Sequence, residues 1–248
     1  LLPFSNQVAK ITGKIIKDEE ESKIDKELAT LDPRLIATPA IAISQARNVM
    51  FAMADCIREN FDIARKLISE YNEEEAAKLE ENEDFIDKCE SSLNNFLLKV
   101  TSQNNMSRAE RLDVSELLNS LSDMERIGDQ ADDIAEILLC RAGRPLSAGD
   151  TLRDMARATI RMVSESVDAY VKHDTALADQ VIAEDDTVDD YFARVKKDLI
   201  KRIAQDPDDG EFALDLLMIA KYFERIGDHA VNIAQWVIFS ATGTHKED

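Results

Sequence analysis

One pentapeptide occurs twice, as Glu125-Arg126-Ile127-Gly128-Asp129 and as Glu224-Arg225-Ile226-Gly227-Asp228, each time inside a long amphipathic stretch. The likeness runs on through Gln130-Ala131-Asp132-Asp133-Ile134-Ala135-Glu136 and His229-Ala230-Val231-Asn232-Ile233-Ala234-Gln235. Upstream, Glu83-Asp84-Phe85-Ile86-Asp87 falls beside Asp185-Asp186-Thr187-Val188-Asp189. Both matches share nearly one offset, roughly a hundred residues, as a duplicated supersecondary unit requires. The chain is therefore expected to be all-α: two pseudo-symmetric bundles of three long helices each.

The apolar spacing supplies the helices. Ile43, Val49, Met50, Met53, Ile57, Phe61, Ala64, Leu67 and Ile68 recur at helical intervals after Thr38-Pro39, a cap followed by proline at the first helical position. This predicts a first helix from Pro39 to about Tyr71. A second, from Glu73 to Thr101, carries Leu79, Ile86, Leu93, Phe96, Leu97 and Val100; a third runs from Ser107 to Cys140 and stops at Gly143 and Pro145. The pattern restarts over 148–173, 175–205 and 211–241, with the turn Asp206-Pro207-Asp208-Asp209-Gly210 before the last helix. The expected organisation is a first repeat over 38–145, a second over 146–248, and a preceding segment 1–37. In that segment Asp18 to Glu21 form a solvated acidic run, and Leu31-Asp32-Pro33-Arg34 interrupts any helix. Only 7 Gly and 5 Pro in 248 residues leave too few turn formers for a β-sandwich or barrel.

Charge narrows the partners. A net charge of -20 repels phosphate backbones and anionic lipid, so no nucleic acid is expected, whereas cations and basic surfaces fit. Cys56, Cys89 and Cys140 form no C-x-x-C pair and read as core thiols of a reducing compartment. No stretch is apolar enough to span a membrane. The chain begins Leu1-Leu2-Pro3-Phe4, followed by Lys10, Lys14 and Lys17, the pattern of a cytoplasmic exit from a span.

Four acidic pairs have i,i+4 spacing at matching places in the repeat: Glu83/Asp87, Glu125/Asp129, Asp185/Asp189 and Glu224/Asp228. With 50 acidic residues in 248, roughly ten such pairs arise by chance, so one alone carries no weight. Two per repeat at equivalent positions do. Like charges so placed cost a helix about 0.2–0.5 kcal/mol per pair. A di- or trivalent cation bridged by the carboxylates would offset that, since hard cations prefer oxygen ligands. The competing reading is a solvated acidic face.

Gly128 and Gly227 sit inside helices, where glycine costs about 0.8–1.0 kcal/mol against alanine. Their recurrence suggests the close approach of a neighbouring helix or of a metal cluster. Arg126 and Arg225 read first as structural ion-pair partners. Of the histidines, His173 falls at a helix end and suits the dipole, His245 is in the tail, and His229 lies off the face of its neighbour Asp228. The sequence has no Glu-x-x-His, H-E-x-x-H, P-loop, C-x-x-C or G-x-S-x-G motif, and no nucleophile with a neighbouring base, so no enzymatic activity is expected.

Glu224-Arg225-Ile226-Gly227-Asp228-His229-Ala230-Val231-Asn232-Ile233-Ala234 resembles the signature of the PhoU family of phosphate-uptake regulators, and 125–135 is a weaker copy; the resemblance covers residues 39–241. It implies two three-helix bundles, negative regulation of phosphate uptake without catalysis, and multinuclear metal clusters on E(D)-x-x-x-D motifs. Here those motifs fall on Glu83, Asp87, Glu125, Asp129, Asp185, Asp189, Glu224 and Asp228, with iron, zinc or magnesium as candidate ions. Leu2-Pro3-Phe4, Leu31-Asp32-Pro33-Arg34-Leu35 and Thr38-Pro39-Ala40-Ile41-Ala42 resemble the link between the last span of bacterial Na+/phosphate cotransporters and their C-terminal PhoU-like domain. That implies a regulatory domain at the cytoplasmic face of the inner membrane, attached to a transporter. The alternative is a free-standing adaptor of phosphate transport without metal. Homo-oligomers are compatible with either. Where the first copy has Asp133 and Glu136 the second has Asn232 and Gln235, so the second site is expected to hold its cation more weakly, or to hold a different one.

Overall fold

The computed structural model describes residues 26–69, 72–140 and 149–243. Leu2 to Phe4, Lys10, Lys14, Lys17, the acidic run at 18–21, Tyr71, Gly143, Pro145 and His245 lie outside the described residues. Six long helices follow a 3-10 turn at Pro33–Leu35: α1 (Pro39–Ser69), α2 (Glu73–Thr101), α3 (Arg108–Cys140), α4 (Asp150–Lys172), α5 (Thr175–Gln205) and α6 (Gly210–Thr242).

Local chemistry sets the ends. Asn72 Oδ1 accepts from the Glu74 and Glu75 amides at 2.9 and 3.3 Å to start α2. Ser107 and Glu110 form a reciprocal capping box before α3, with Ser107 N donating to Glu110 Oε2 at 2.7 Å and Glu110 N to Ser107 Oγ at 3.2 Å. Asp174 caps α5 through the Ala176 and Leu177 amides, both at 3.0 Å. The Asp206 turn tightens into a 3-10 helix, Pro207–Asp209, before α6. His173 ends α4 in the left-handed region at φ 51°.

Helices α1, α2 and α3 pack on one another, as do α4, α5 and α6. The two sets meet chiefly where α3 lies along α6, with a smaller contact between α1 and α4. The expected apolar stripe is the core: Ile43, Val49, Met50, Met53, Ile57, Phe61 and Ala64 on α1 and Leu79, Ile86, Leu93, Phe96, Leu97 and Val100 on α2 are all buried. Helices of this length draw most of their stability from such lateral packing. Among the described residues no helix is long and apolar enough to cross a membrane.

Candidate metal centre

The closest helix contacts fix where the carboxylates stand. A Cβ at Gly128 would lie 3.2 Å from Ile86 Cδ1 and 3.3 Å from its Cγ2, so bare glycine backbone lets α3 settle against α2. The equivalent contact in the second repeat joins Gly227 of α6 to Val188 of α5, with 3.5 Å from the Cβ position to Val188 Cγ1. Ile86, Gly128, Val188 and Gly227 each carry an acidic residue three positions before and one position after. Pinning Gly128 to Ile86 therefore brings Glu83 and Asp87 beside Glu125 and Asp129. Pinning Gly227 to Val188 does the same for Asp185, Asp189, Glu224 and Asp228. Of the two explanations for the glycines, helix packing is the one the geometry shows, since the nearest atoms are aliphatic side chains.

The first quartet is the tighter. Ligand oxygens of Glu83, Asp87 and Asp129 all lie within 4.8 Å of one another, alone in this among the described residues. Repulsion and partial burial show in their titration. Burial first, and then the charges of Asp87, Asp132 and Asp129, push the Glu83 carboxyl up to about 7. Burial followed by Asp129 raises Glu125, and burial followed by Asp87 raises Asp129. Arg126 pulls back only weakly: exposed, it reaches Glu125 at 3.5 Å and Asp129 at 3.6 Å on its own helix, not across the bundle. Asp132, which the pair spacing alone does not pick out, joins the cluster; burial and then Glu136 and Glu80 push it up to about 6. Its position three residues after Asp129 on the same helical face is the signal that marks it.

The second quartet carries its own counter-ion. Lys221 Nζ pairs with Glu224 and sits 5.5 Å from the centre of the Phe192 ring. The equivalent residue in the first repeat is the uncharged Ser122. Asp185 Oδ1 is 4.0 Å from the Cβ position at Gly227. Asp228 is raised by burial, then by Glu224 and Asp189, while Lys221 and His229 oppose the rise.

The departures from symmetry at Asn232, Gln235 and His229 do not belong to this quartet. Asn232 Nδ2 donates to Asp123 Oδ1 at 3.0 Å, and His229 Nδ1 stands 2.9 Å from the same oxygen. Gln235 is buried. In the mirror position, Asp133 of α3 faces the Tyr222 hydroxyl of α6, whose pKa is raised by burial and then by that carboxylate. Asn232 and His229 with Asp123, and Asp133 with Tyr222, bridge α3 to α6. Within the quartets themselves the difference in charge is Lys221 beside Glu224 in the second repeat and Asp132 beside Glu83 in the first.

The donor set fits a cation of a particular kind. It offers carboxylate oxygens with neither thiolate nor imidazole among the triad, which suits hard ions such as Mg2+ or oxidised iron better than Zn2+.

The PhoU domain of known proteins matches this chain twice, over residues 51–138 and 152–237. The chain is 27% identical over 194 residues to the phosphate-specific transport system accessory protein PhoU homolog 1 of Thermotoga maritima, spanning 77% of this chain and 84% of that one. Its likeness to the PhoU homolog of Pseudomonas aeruginosa is 26% over 204 residues, or 82% and 84% of the two chains. The crystal structure of PhoU from Pseudomonas aeruginosa superposes with a TM-score of 0.77 at 26% identity, covering 81% of this chain and 97% of that one. PhoU from Streptococcus pneumoniae shares the fold, with a TM-score of 0.75 at 18% identity over 85% of this chain and 100% of that one. With its duplicated domain spanning most of both bundles, the chain belongs to the PhoU family.

Proposed function

We propose that this chain is a non-catalytic accessory regulator of phosphate transport, working by association with phosphate-uptake proteins at the cytoplasmic face of a membrane. Residues 38–145 and 146–248 act as its two repeat units. The reading is supported by relatives named as phosphate-specific transport accessory proteins, aligned over most of their length. Within that role Glu83, Asp87, Glu125 and Asp129 would hold a hard cation tightly, and Asp185, Asp189, Glu224 and Asp228 a second one only weakly, because Lys221 already pairs with Glu224. A bound cation supplies positive charge that ties α2 to α3, or α5 to α6, and changes the surface a partner meets. The observation that carries the cation assignment is the triad of Glu83, Asp87 and Asp129, its oxygens within 4.8 Å and its Glu83 raised to about 7.

A metal-free adaptor is the second reading, favoured at the second repeat by the Lys221–Glu224 ion pair. Covalent attachment to a Na+/phosphate cotransporter is a narrower form of the first; it rests on the resemblance of residues 2–4 and 31–42 and is decided by the coding sequence upstream of Leu1. Phosphate uptake tests the role itself. In cells lacking their own PhoU-type regulator, expression of this chain is expected to lower uptake in phosphate-rich medium. Uptake indifferent to the chain contradicts the regulatory reading, and full activity of Glu83→Gln/Asp129→Asn shows that the cation is dispensable.

A further inference from the structure

A second cluster of charge lies outside the acidic quartets, where α1 and α3 of the first bundle meet α4 of the second. Glu116 of α3 is 0% exposed, yet neither carboxylate oxygen makes a hydrogen bond of full geometry among the described residues. The Tyr170 hydroxyl of α4 is likewise buried and without a hydrogen-bond partner there. Arg47 of α1 places one terminal nitrogen 3.6 Å from both Glu116 Oε2 and Asp113 Oδ1. Its other terminal nitrogen lies 2.8 Å from His173 Nε2.

That last contact fixes a proton. A guanidinium only donates, so Nε2 must accept. The neutral ring then carries its hydrogen on Nδ1, which stands 3.9 Å from Glu116 Oε1. His173 closes α4 in the left-handed conformation at φ 51°. The groups facing Glu116 are thus Arg47 from α1, Asp113 of its own helix, Tyr170 and His173 from α4, and the Ser240 hydroxyl from α6. This junction joins the two bundles at the α1/α4 contact, one side of which is otherwise tied by the Arg58–Asp168 ion pair.

We propose that the Arg47–Glu116–His173 junction is a proton-operated latch between the two bundles, closed while Glu116 is uncharged and loosened when Glu116 ionises and draws water between α1, α3 and α4. An ionised carboxylate buried without adequate hydrogen bonds is costly, and hydration is the ready relief. Burial outweighs the pull of Arg47 and pushes Glu116 up to about 7, so the change of state falls near neutral pH. His173 is shifted the other way, lowered by burial and then by Arg47, which favours the neutral ring that accepts from Arg47. The latch is therefore tightest in a window bounded below by His173 protonation and above by Glu116 ionisation.

The sign follows from linkage. The folded chain binds the Glu116 proton more tightly than the unfolded one, so the stabilisation is full below the unfolded pKa and is lost as pH rises through about 7. Glu116→Gln keeps the shape and removes the titration. Its Tm is expected to exceed that of the wild-type chain by roughly 3–6 °C at pH 8 and to match it at pH 5. Amide protection around Arg47 and at the end of α4 is expected to rise in the variant at pH 8 only. An equal difference at both pH values, or none, overturns the proposal. Should Glu116→Gln fail to fold, wild-type chain with 13C-labelled glutamate carboxyls gives a second reading, with Glu83→Gln identifying the other glutamate that titrates near neutrality. A Glu116 resonance already ionised at pH 5 overturns the latch; one titrating near neutrality together with loss of amide protection at Arg47 supports it.

Discussion

The two repeats share a backbone plan and differ in how they balance charge. Both pin a glycine of the third helix against a β-branched residue of the second, and both hang four carboxylates around that contact. In the second repeat Lys221 reaches Glu224 from one helical turn away. In the first, Ser122 stands at that register, Arg126 lies outside at 3.5 and 3.6 Å, and Asp132 adds to the negative charge. A duplicated fold thus does not duplicate a charge balance: Lys221 offsets part of the charge of the second quartet, while the first has only the exposed Arg126 and gains a further carboxylate in Asp132. On the proposed cation reading, the first quartet is the stronger of the two sites.

The largest effect expected from that difference is on cation affinity. Glu83→Gln with Asp129→Asn should weaken binding of Mg2+ or oxidised iron by more than about tenfold, measured by titration calorimetry. Asp185→Asn with Glu224→Gln should change it little. The cation-free first-site variant should also melt higher than the wild-type chain, because like charges have been removed. Comparable losses from the two double variants would erase the distinction between the repeats.

The glycines offer a smaller contrast, read in stability. Gly128→Ala drives a methyl into Ile86, whose Cγ2 sits on the stiff β-branch, so overpacking of about 1–3 kcal/mol outweighs a helix-propensity gain of about 0.8–1.0 kcal/mol. Gly227→Ala meets Val188 at 3.5 Å, an ordinary contact, and keeps most of the gain. Denaturant unfolding should show the first variant less stable than wild type and the second more stable. A gain in both would mean that α2 and α3 are not held as closely as the geometry places them.

Acidity sharpens the comparison further. Glu83 rises to about 7 from 4.5 and Asp132 to about 6 from 3.8. Each binds its proton more tightly in the folded chain, so each favours folding below its unfolded pKa and loses that contribution as pH rises through the folded value. The cation-free chain should therefore lose stability between about pH 5 and 7, and Glu83→Gln should flatten part of that slope. The same protons compete with cations, so affinity at the first site should fall as pH drops below 7. An affinity independent of pH over that range would exclude a carboxylate site with these titrations.

Much of this architecture is legible in the sequence, and the reasons are local. The 3.6-residue spacing of Val49, Met53 and Ile57, the Thr38-Pro39 helix start, and the repeated Glu-Arg-Ile-Gly-Asp each act within a few residues of themselves. Helix ends differ from the spacing-based limits by only one or two residues, as at Arg108 and Gly210. The acidic pairs are readable for the same reason, because i,i+4 carboxylates share a face whatever the tertiary fold. What escapes is set by other helices. Nothing in the sequence marks Glu116, which is buried only because α1 and α4 close over it. Asn232 reads as a weakened ligand until α3 brings Asp123 to 3.0 Å. Lys221 is visible three residues before Glu224, yet its importance emerges only when the repeats are aligned and Ser122 is found opposite it.

The most direct test is to count cations on the wild-type chain with Mn2+, a hard-ion probe read by its own spin-resonance signal, and to repeat the count with Asp129→Asn and with Asp228→Asn. One tight site is expected in the wild-type chain, lost with Asp129→Asn and kept with Asp228→Asn. Two sites of equal strength, each abolished by its own variant, or no tight site at all, would contradict it.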